Sequence, residues 1–285
     1  MDRQPRQISI DGAPLVGAGA HADVYRLDDE TVVKLYRPFV TMESIEREKK
    51  LSRWAFVKGI PTAISFDIVK AGDRDGIVYE LIKARSVSEY IQEAEGNFDI
   101  FVRKYMDLMH QIHSVEVKPD ELPDMKKQAL GWAETCRNYM SSDICNRLIS
   151  LVEEISDCHT LLHADFHINN ILVCGDELML IDMDTLCSGD PIFEMSSLYN
   201  SYIEFPSIDP VAAKIFGIDV ETARRLWDSS LELYLGGDKD KKNEFARKVL
   251  LLGCMRIIDF MNRHKDHPGF KRCINICSQD ISKHL

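Results

Sequence analysis

The chain of 285 residues contains no apolar run near the roughly 18 residues of a spanning helix, and its opening, MDRQPRQISIDG, holds no apolar stretch of a secretory leader. Those absences exclude a transmembrane helix from the reading and point to a cytoplasmic protein. It also lacks a basic block: 35 Lys and Arg stand against 46 Asp and Glu, a formal charge of -11, so nothing is positioned to neutralise a phosphate backbone or an anionic membrane surface. Nucleic acid and membrane are therefore not expected as partners. The eight cysteines show no C-x-x-C spacing, which argues against tetrahedral zinc, and Cys273 and Cys277, one helical turn apart, lack a third thiol or a His beside them in sequence. They read as reduced core residues. Internal repeats and low-complexity segments are absent too, which excludes a solenoid. What remains is a folded chain, 45% hydrophobic, large enough for one big core or two smaller ones, with its oligomeric state left open.

The first eighty-odd residues hold strand-like runs, QISIDG, ADVYRL, TVVKLY, AISFDIV and GIVYELI, with AGDRDG predicting a hairpin loop between the last two. One helix interrupts them, from about Thr41 to Phe56. After KARSV, helical periodicity takes over in FDIFVRKYMDLMHQIHSV, MKKQALGWAETCRNYM and SDICNRLISLVEEI, broken by strand-like pieces between Leu161 and Asp184. Further helices are expected near 190–202, 220–235, 241–263 and 270–284. The pattern predicts an α+β chain: a small antiparallel sheet with one helix over residues 1–83, then a larger, mainly helical lobe over 84–285, with a cleft between them.

Within the first part, LVGAGAHADVYRL carries Gly17 and Gly19, with Ala22 where a third glycine would complete G-x-G-x-x-G. In a dinucleotide fold such glycines open a helix, but ADVYRL alternates like a strand, so this loop joins two strands and suits a cover over nucleotide phosphates. A plain glycine hairpin is the competing reading. Lys34, mid-strand in TVVKLY, shares a face with Val32 and Tyr36 and needs an anionic partner if buried. Glu48 supplies one, since it lies on the helix stripe of Ile45, Leu51 and Ala55, whereas Glu46 shares its face with Lys49, Lys50 and Arg53.

LLHADFHINNILV crowds two His, one Asp and two Asn between apolar runs. Phosphoryl transfer asks a protein to place an acceptor hydroxyl and to hold metal on the phosphates. Asp165 can accept the hydroxyl proton, Asn170 can offer a neutral oxygen to a metal, and Asp182 in LMLIDMDT can add a full negative charge. A hairpin of ILV and LMLI would carry Asn170 and Asp182 to one end.

HADFHINNILV resembles the H-G-D-x-H-x-x-N-I-L-V motif of the aminoglycoside phosphotransferase and choline kinase-like superfamily; LIDMD is similar to that family's I-D-x-[DE] metal motif, and GDPIFEMSSL to its G-D-P-x-x-D-L-A helix start. The resemblance covers nearly the whole chain. It implies a bilobal protein kinase-like fold using ATP or GTP and Mg2+, with Asp165 as catalytic base, Asn170 and Asp182 on the metal, and Lys34 on the phosphates and paired with Glu48. The backbone from Glu80 to Ile82 would meet the purine edge, and helices from about Pro206 to Arg263 would build much of the acceptor pocket. His163 and His167 are expected to brace the loop, and His110 and His113 to pack or cap their helix. Ala164 stands where the family has glycine, which is tolerated if its φ stays negative. Glu194 and Met195 replace the usual Asp-Leu, so Asp190 is expected to anchor the helix after GDP.

Three functions fit these residues: a phosphotransferase acting on a small-molecule hydroxyl of a sugar, amino sugar or amino alcohol; a kinase of protein hydroxyls; and a nucleotide-binding pseudokinase scaffold. The short segment after MDTLCSGDP disfavours the second, and retention of Lys34, Asp165, Asn170 and Asp182 disfavours the third. Asp209, Glu232, Asp238 and Asp259 could hold a cationic acceptor, against the plainer reading of solvated helix faces.

Overall fold

A computed structural model describes residues 5–94, 96–209, 211–236 and 239–285. Contacts divide the chain into two compact units, one of Met1–Ser86 with Asn170–Thr185, the other of Val87–Asn169 with Leu186–Leu285.

The first unit is built on a six-stranded sheet of β1 (Arg6–Gln7), β2 (Leu15–Ala18), β3 (Ala22–Arg26), β4 (Thr31–Tyr36), β5 (Ser65–Ala71) and β6 (Arg74–Glu80), in the order β1-β5-β6-β4-β3-β2. All neighbours are antiparallel except β1, which runs parallel to β5 and shares only Gln7 with the expected QISIDG strand, residues 8–12 being outside any strand. Alternation in β4 divides the core: Val33 and Leu35 join Val69, Ala71 and Val78 on one face, while Tyr36 joins Ala22, Ile45 and Ile77 on the other. That second face meets helix α1 (Met42–Val57), whose N-cap Thr41 accepts the Ser44 N–H. β5 and β6 turn through Gly72 and Asp73, with Gly72 at φ 62°. Opposite Leu35, Gly76 admits no side chain, because a Cβ there would lie 2.6 Å from Leu35 Cδ2 and 2.7 Å from the Lys34 carbonyl oxygen.

A second small sheet in this unit joins β7 (Arg85–Ser86), β9 (Ile171–Cys174) and β10 (Glu177–Leu180). β9 and β10 form the expected antiparallel hairpin, Ile171 opposite Leu180, and the Ile181 N–H donates to the Asn170 carbonyl at 2.9 Å. Asn170 and Asp182 therefore sit at the same end of it.

The second unit is mostly helical: α2 (Val87–Glu93), α3 (Asn97–His113), α4 (Met125–Thr135), α5 (Ser142–Glu153), α6 (Ile192–Tyr199), α7 (Phe205–Ile208), α8 (Ala212–Ile215), α9 (Val220–Leu235), α10 (Lys239–Arg263) and α11 (Phe270–His284). Two short antiparallel strands, β8 (Thr160–Leu162) and β11 (Cys187–Gly189), bracket the polar loop on one side. Asp124 and Asp219 cap α4 and α9 by accepting backbone N–H groups. The middle of α10 is buried nearly all round, with Val249, Leu251, Leu252, Cys254, Met255, Ile257 and Ile258 in the interior, as expected of a central helix. All eight cysteines are free thiols, six of them buried. Cys277 turns toward Cys254, and both thiols donate to Glu204, at 3.7 and 3.8 Å.

Candidate active site

In the first unit, Lys34 donates to Glu48 Oε1 at 2.7 Å and to Asp182 Oδ1 at 2.9 Å. Burial works against the Lys34 charge, but the carboxylates of Asp182 and Glu48 outweigh it and hold the ammonium above the usual lysine range. Glu48 is buried, with Tyr79 donating to the same oxygen at 3.1 Å, and Glu46 is exposed, so the inward stripe of α1 carries the partner the helix pattern selected. Asp182 adopts the left-handed region at φ 65°. Glu48, Asp182 and Asp184 present carboxylate oxygens within 4.8 Å of one another, and Asn170 lies across the hairpin one position away from Asp182. Hard oxygen donors of this kind suit Mg2+ rather than a thiolate metal. Asp184 was quoted in the motif but not assigned there.

Gly17 and Gly19 lie on and after β2, and the Gly19 N–H donates to the Ala22 carbonyl at 2.8 Å. Neither has positive φ, and a Cβ on either would meet only ordinary contacts, at 3.5 Å from Val24 and 3.7 Å from the Ala22 oxygen. The fold therefore does not require glycine there, which leaves close approach of a ligand as the reason for it. Gly17→Ala and Gly19→Ala should leave thermal stability unchanged or slightly higher. Each should weaken nucleotide binding about tenfold, equivalent to one hydrogen bond to a charged group, measured by isothermal titration. Asp23, buried at the end of the loop, is held by Arg37 in a two-pronged pair and by Arg74, whose Nε donates to the Tyr36 carbonyl. At the C-terminal end of β6, Glu80 N–H donates to Ile64 O and Leu81 N–H to Glu30 O, and Ile82 follows just after the strand.

In the second unit the loop after β8 is fastened at nearly every residue. Buried Glu194, on α6, accepts from His163 N–H at 2.6 Å and Ala164 N–H at 2.9 Å. Ser197 donates to the Ala164 carbonyl, Tyr105 on α3 donates to the Phe166 carbonyl at 2.7 Å, and the Tyr202 hydroxyl accepts from Ile168 N–H at 2.9 Å. The Tyr105 ring stacks on Phe166 at 4.6 Å. His163 Nδ1 accepts from Asp165 N–H, and His167 Nε2 lies 3.2 Å from Asp165 Oδ2. Both histidines brace Asp165 from inside the loop, while His110 stacks on Tyr234 and His113 faces Glu194 at 3.8 Å. Asp165 is partly buried, which disfavours its charge, yet His167 foremost, then Arg256 and His163, hold the carboxyl well below its usual range. Asp165 is thus an ionised carboxylate fixed in direction.

One expectation is overturned. Ala164 does enter the left-handed region, at φ 65°, because its N–H must reach Glu194 and its carbonyl Ser197. The conformation costs an L-residue about 1–2 kcal/mol, offset by the roughly 2–4.5 kcal/mol of one buried bond to a carboxylate and one neutral bond from the Ser197 hydroxyl. Ala164→Gly should relieve that strain and, after the entropy cost of glycine, raise Tm by about 2 °C with activity retained, as read by differential scanning calorimetry. Asp190 accepts from Ile192 N–H at the start of α6, the anchoring role expected of it. The loop's fastening by Tyr105, Tyr202 and Glu194 was not foreseen, since such residues on a helix read equally as packing.

Of the acidic residues considered for an acceptor, Glu232 pairs with Lys242, Asp259 takes Thr135 and Arg263, and Asp209 caps Val211 N–H. Asp238 lies outside the described residues.

The model of the phosphotransferase enzyme family matches residues 13–227. Solved structures are similar along nearly the whole chain. ADP-bound aminoglycoside phosphotransferase APH(2'')-Ib is 17% identical, with 94% of this chain and 90% of that chain covered and a TM-score of 0.59. The GDP and kanamycin complex of APH(2'')-IIIa is 14% identical, with 98% and 95% covered and a TM-score of 0.63. A choline/ethanolamine kinase family protein from Mesorhizobium loti is 12% identical, with 95% and 87% covered and a TM-score of 0.60. At these identities the likeness is one of fold, the protein kinase-like α+β fold. No curated protein sequence matches the chain significantly.

Proposed function

Since the chain belongs to the phosphotransferase enzyme family, and is a kinase-type enzyme acting on hydroxyl groups, we propose that it moves the γ-phosphate of ATP or GTP, with Mg2+, to a hydroxyl of a small molecule. The observation that carries this reading is the Lys34 ammonium fixed between Glu48 and Asp182, on the hairpin end that also bears Asn170. Residues 1–83 serve the nucleotide: Gly17 and Gly19 lie over its phosphates, Lys34 gives them a donor oriented by Glu48, and the backbone from Glu80 to Ile82 meets the purine. Residues 84–285 bring the base and the acceptor. Bound Mg2+, held by Asn170 and Asp182, would offset charge on the phosphates. Asp165 accepts the hydroxyl proton as the oxygen attacks phosphorus in line and the nucleoside diphosphate leaves. A low pKa does not disqualify such a base, because in a loose transition state the proton moves late and orientation dominates.

The test is a nucleotide-consumption screen against sugars, amino sugars, amino alcohols and hydroxy acids, run with ATP and GTP, with and without Mg2+, and with product identified by mass spectrometry. Acceptor-dependent, Mg2+-dependent formation of a phosphate ester is the expected result. Nucleotide binding without ester from any acceptor would count against it.

A further inference from the structure

Glu204 lies inside the helical unit, 2% exposed, in surroundings a carboxylate rarely occupies without a cation. No lysine, arginine or histidine pairs with it among the described residues. Its partners are the thiols of Cys254 on α10, at 3.8 Å, and Cys277 on α11, at 3.7 Å, and the Tyr199 hydroxyl also reaches it. Burial, then the neighbouring Asp280 carboxylate, pushes its carboxyl above the usual range. Both cysteines are fully buried. A Glu204 oxygen and the two Sγ atoms all lie within 4.8 Å of one another, each brought by a different element. Cys273, one turn before Cys277 on α11, is not part of the group.

The backbone that delivers Glu204 is unusual too. Residues Asn200–Glu204 form a π turn between α6 and α7, a wider winding than the α-helix that occurs mostly at functional sites. The spacing of the donors suits a metal ion. Around a tetrahedral zinc, with sulfur at about 2.3 Å and oxygen at about 2.0–2.2 Å, a sulfur and an oxygen ligand stand about 3.5–3.7 Å apart. The observed 3.7 and 3.8 Å are close to that edge. Two thiols with one carboxylate oxygen, closed off from water, select zinc over the hard ions Mg2+ and Ca2+. The S–H···O bonds hold the donors at this spacing before a metal arrives; on binding, zinc displaces the two thiol protons, which leave to solvent.

We propose that Glu204, Cys254 and Cys277 form a structural zinc site, with the fourth position taken by water or by the Tyr199 hydroxyl. The site shares no residue with the oxygen donors Asn170, Asp182 and Asp184, and it takes a different class of ion. Its zinc fastens α10 and α11 to the π turn. That same turn carries Tyr202, whose hydroxyl accepts from Ile168 N–H and lies 3.3 Å from the Tyr105 hydroxyl, so the metal braces the segment that steadies the Asp165 loop. The sequence conceals the site because the cysteines stand 50 and 73 residues from Glu204, with none of the paired spacing that marks a zinc motif.

The test uses the full chain, kept reduced and produced in zinc-replete, cobalt-substituted and metal-depleted media. The zinc-replete protein should carry about one zinc per chain by elemental mass spectrometry. It should melt about 4 °C above the metal-depleted protein, the shift expected when free zinc is about 100 times its Kd. The cobalt form should show thiolate-to-cobalt charge-transfer absorption and the visible bands of a tetrahedral ion. Cys254→Ser and Cys277→Ser should each lose the metal and the metal-dependent rise in Tm, whereas Cys273→Ser keeps both. Glu204→Gln should retain the thiolate absorption and release its metal to a chelator about tenfold faster. X-ray absorption at the zinc edge of the wild type decides even where a variant fails to fold, with two sulfurs near about 2.3 Å and oxygen at about 2.0–2.2 Å as the expected shell. A metal-free chain from zinc-replete medium, a shell of oxygen and nitrogen alone, metal retained by either serine variant, or Glu204→Gln indistinguishable from wild type would overturn the site. None of these readouts involves turnover, so they are independent of the phosphotransferase reading.

Discussion

Asp165→Asn lowers kcat for phosphate transfer by about 10³-fold, within the usual 10²–10⁴ for a general base, while nucleotide affinity stays near that of the wild type. The substitution keeps volume and shape and removes only the ability to accept a proton. Little thermal stability should be lost, because the Asp165 side chain is 40% exposed and its pairing with His167 is screened by water. The pH dependence follows from the direction of the shift. Asp165 has its folded pKa depressed, so its contribution is present above the unfolded carboxylate value and is lost only as pH falls through the lower folded value. Between pH 5 and 8, kcat should show no acidic limb from this group. An apparent pKa near 6 that disappears in Asp165→Asn would contradict the assignment of an already ionised base.

Glu194→Ala is expected to be the most destabilising single change in the loop. It leaves the buried N–H groups of His163 and Ala164 without acceptors and removes the force that holds Ala164 at positive φ. Two bonds to a charged acceptor amount to about 3–6 kcal/mol, or a Tm fall on the order of 10 °C for a chain of this size. Activity should fall with it, even below the new Tm, because Asp165 follows directly on the released segment. Glu194→Gln retains one acceptor oxygen and should lie between the two. Calorimetry together with kcat at a temperature where all three proteins are folded separates loss of stability from loss of orientation. If Glu194→Ala melts within 2 °C of wild type, the fastening described here is wrong.

The parts of the molecule that could be read from sequence are those where a period and a chemical requirement coincide. Lys34 was identifiable because β4 alternates, and Glu48 because it repeats on the α1 stripe of Ile45, Leu51 and Ala55 while Glu46 does not. Asn170 and Asp182 come to one hairpin end because the ILV and LML runs pair with Gly175 at their turn. β2 was not foreseen as a strand, since three of its four residues, Leu15, Val16 and Ala18, are exposed and so short a run carries no alternation of burial. Tyr105 and Tyr202 were equally silent. A tyrosine at a helical core position looks the same whether its hydroxyl is idle or fastens a loop 34 or 61 residues away. The backbone of Ala164 was misjudged for a related reason: the residue type predicts negative φ, and only the tertiary bonds to Glu194 and Ser197 reverse it.

The central claim is that this chain makes a phosphate ester by the agency of Asp165. The most direct measurement is phosphorus NMR of a reaction containing nucleotide, Mg2+ and the acceptor found by the screen, with wild type and Asp165→Asn side by side. The account predicts a new phosphate monoester resonance growing in step with nucleoside diphosphate in the wild type and essentially none in the variant. Inorganic phosphate as the only product, or an equal ester signal from both proteins, would contradict it.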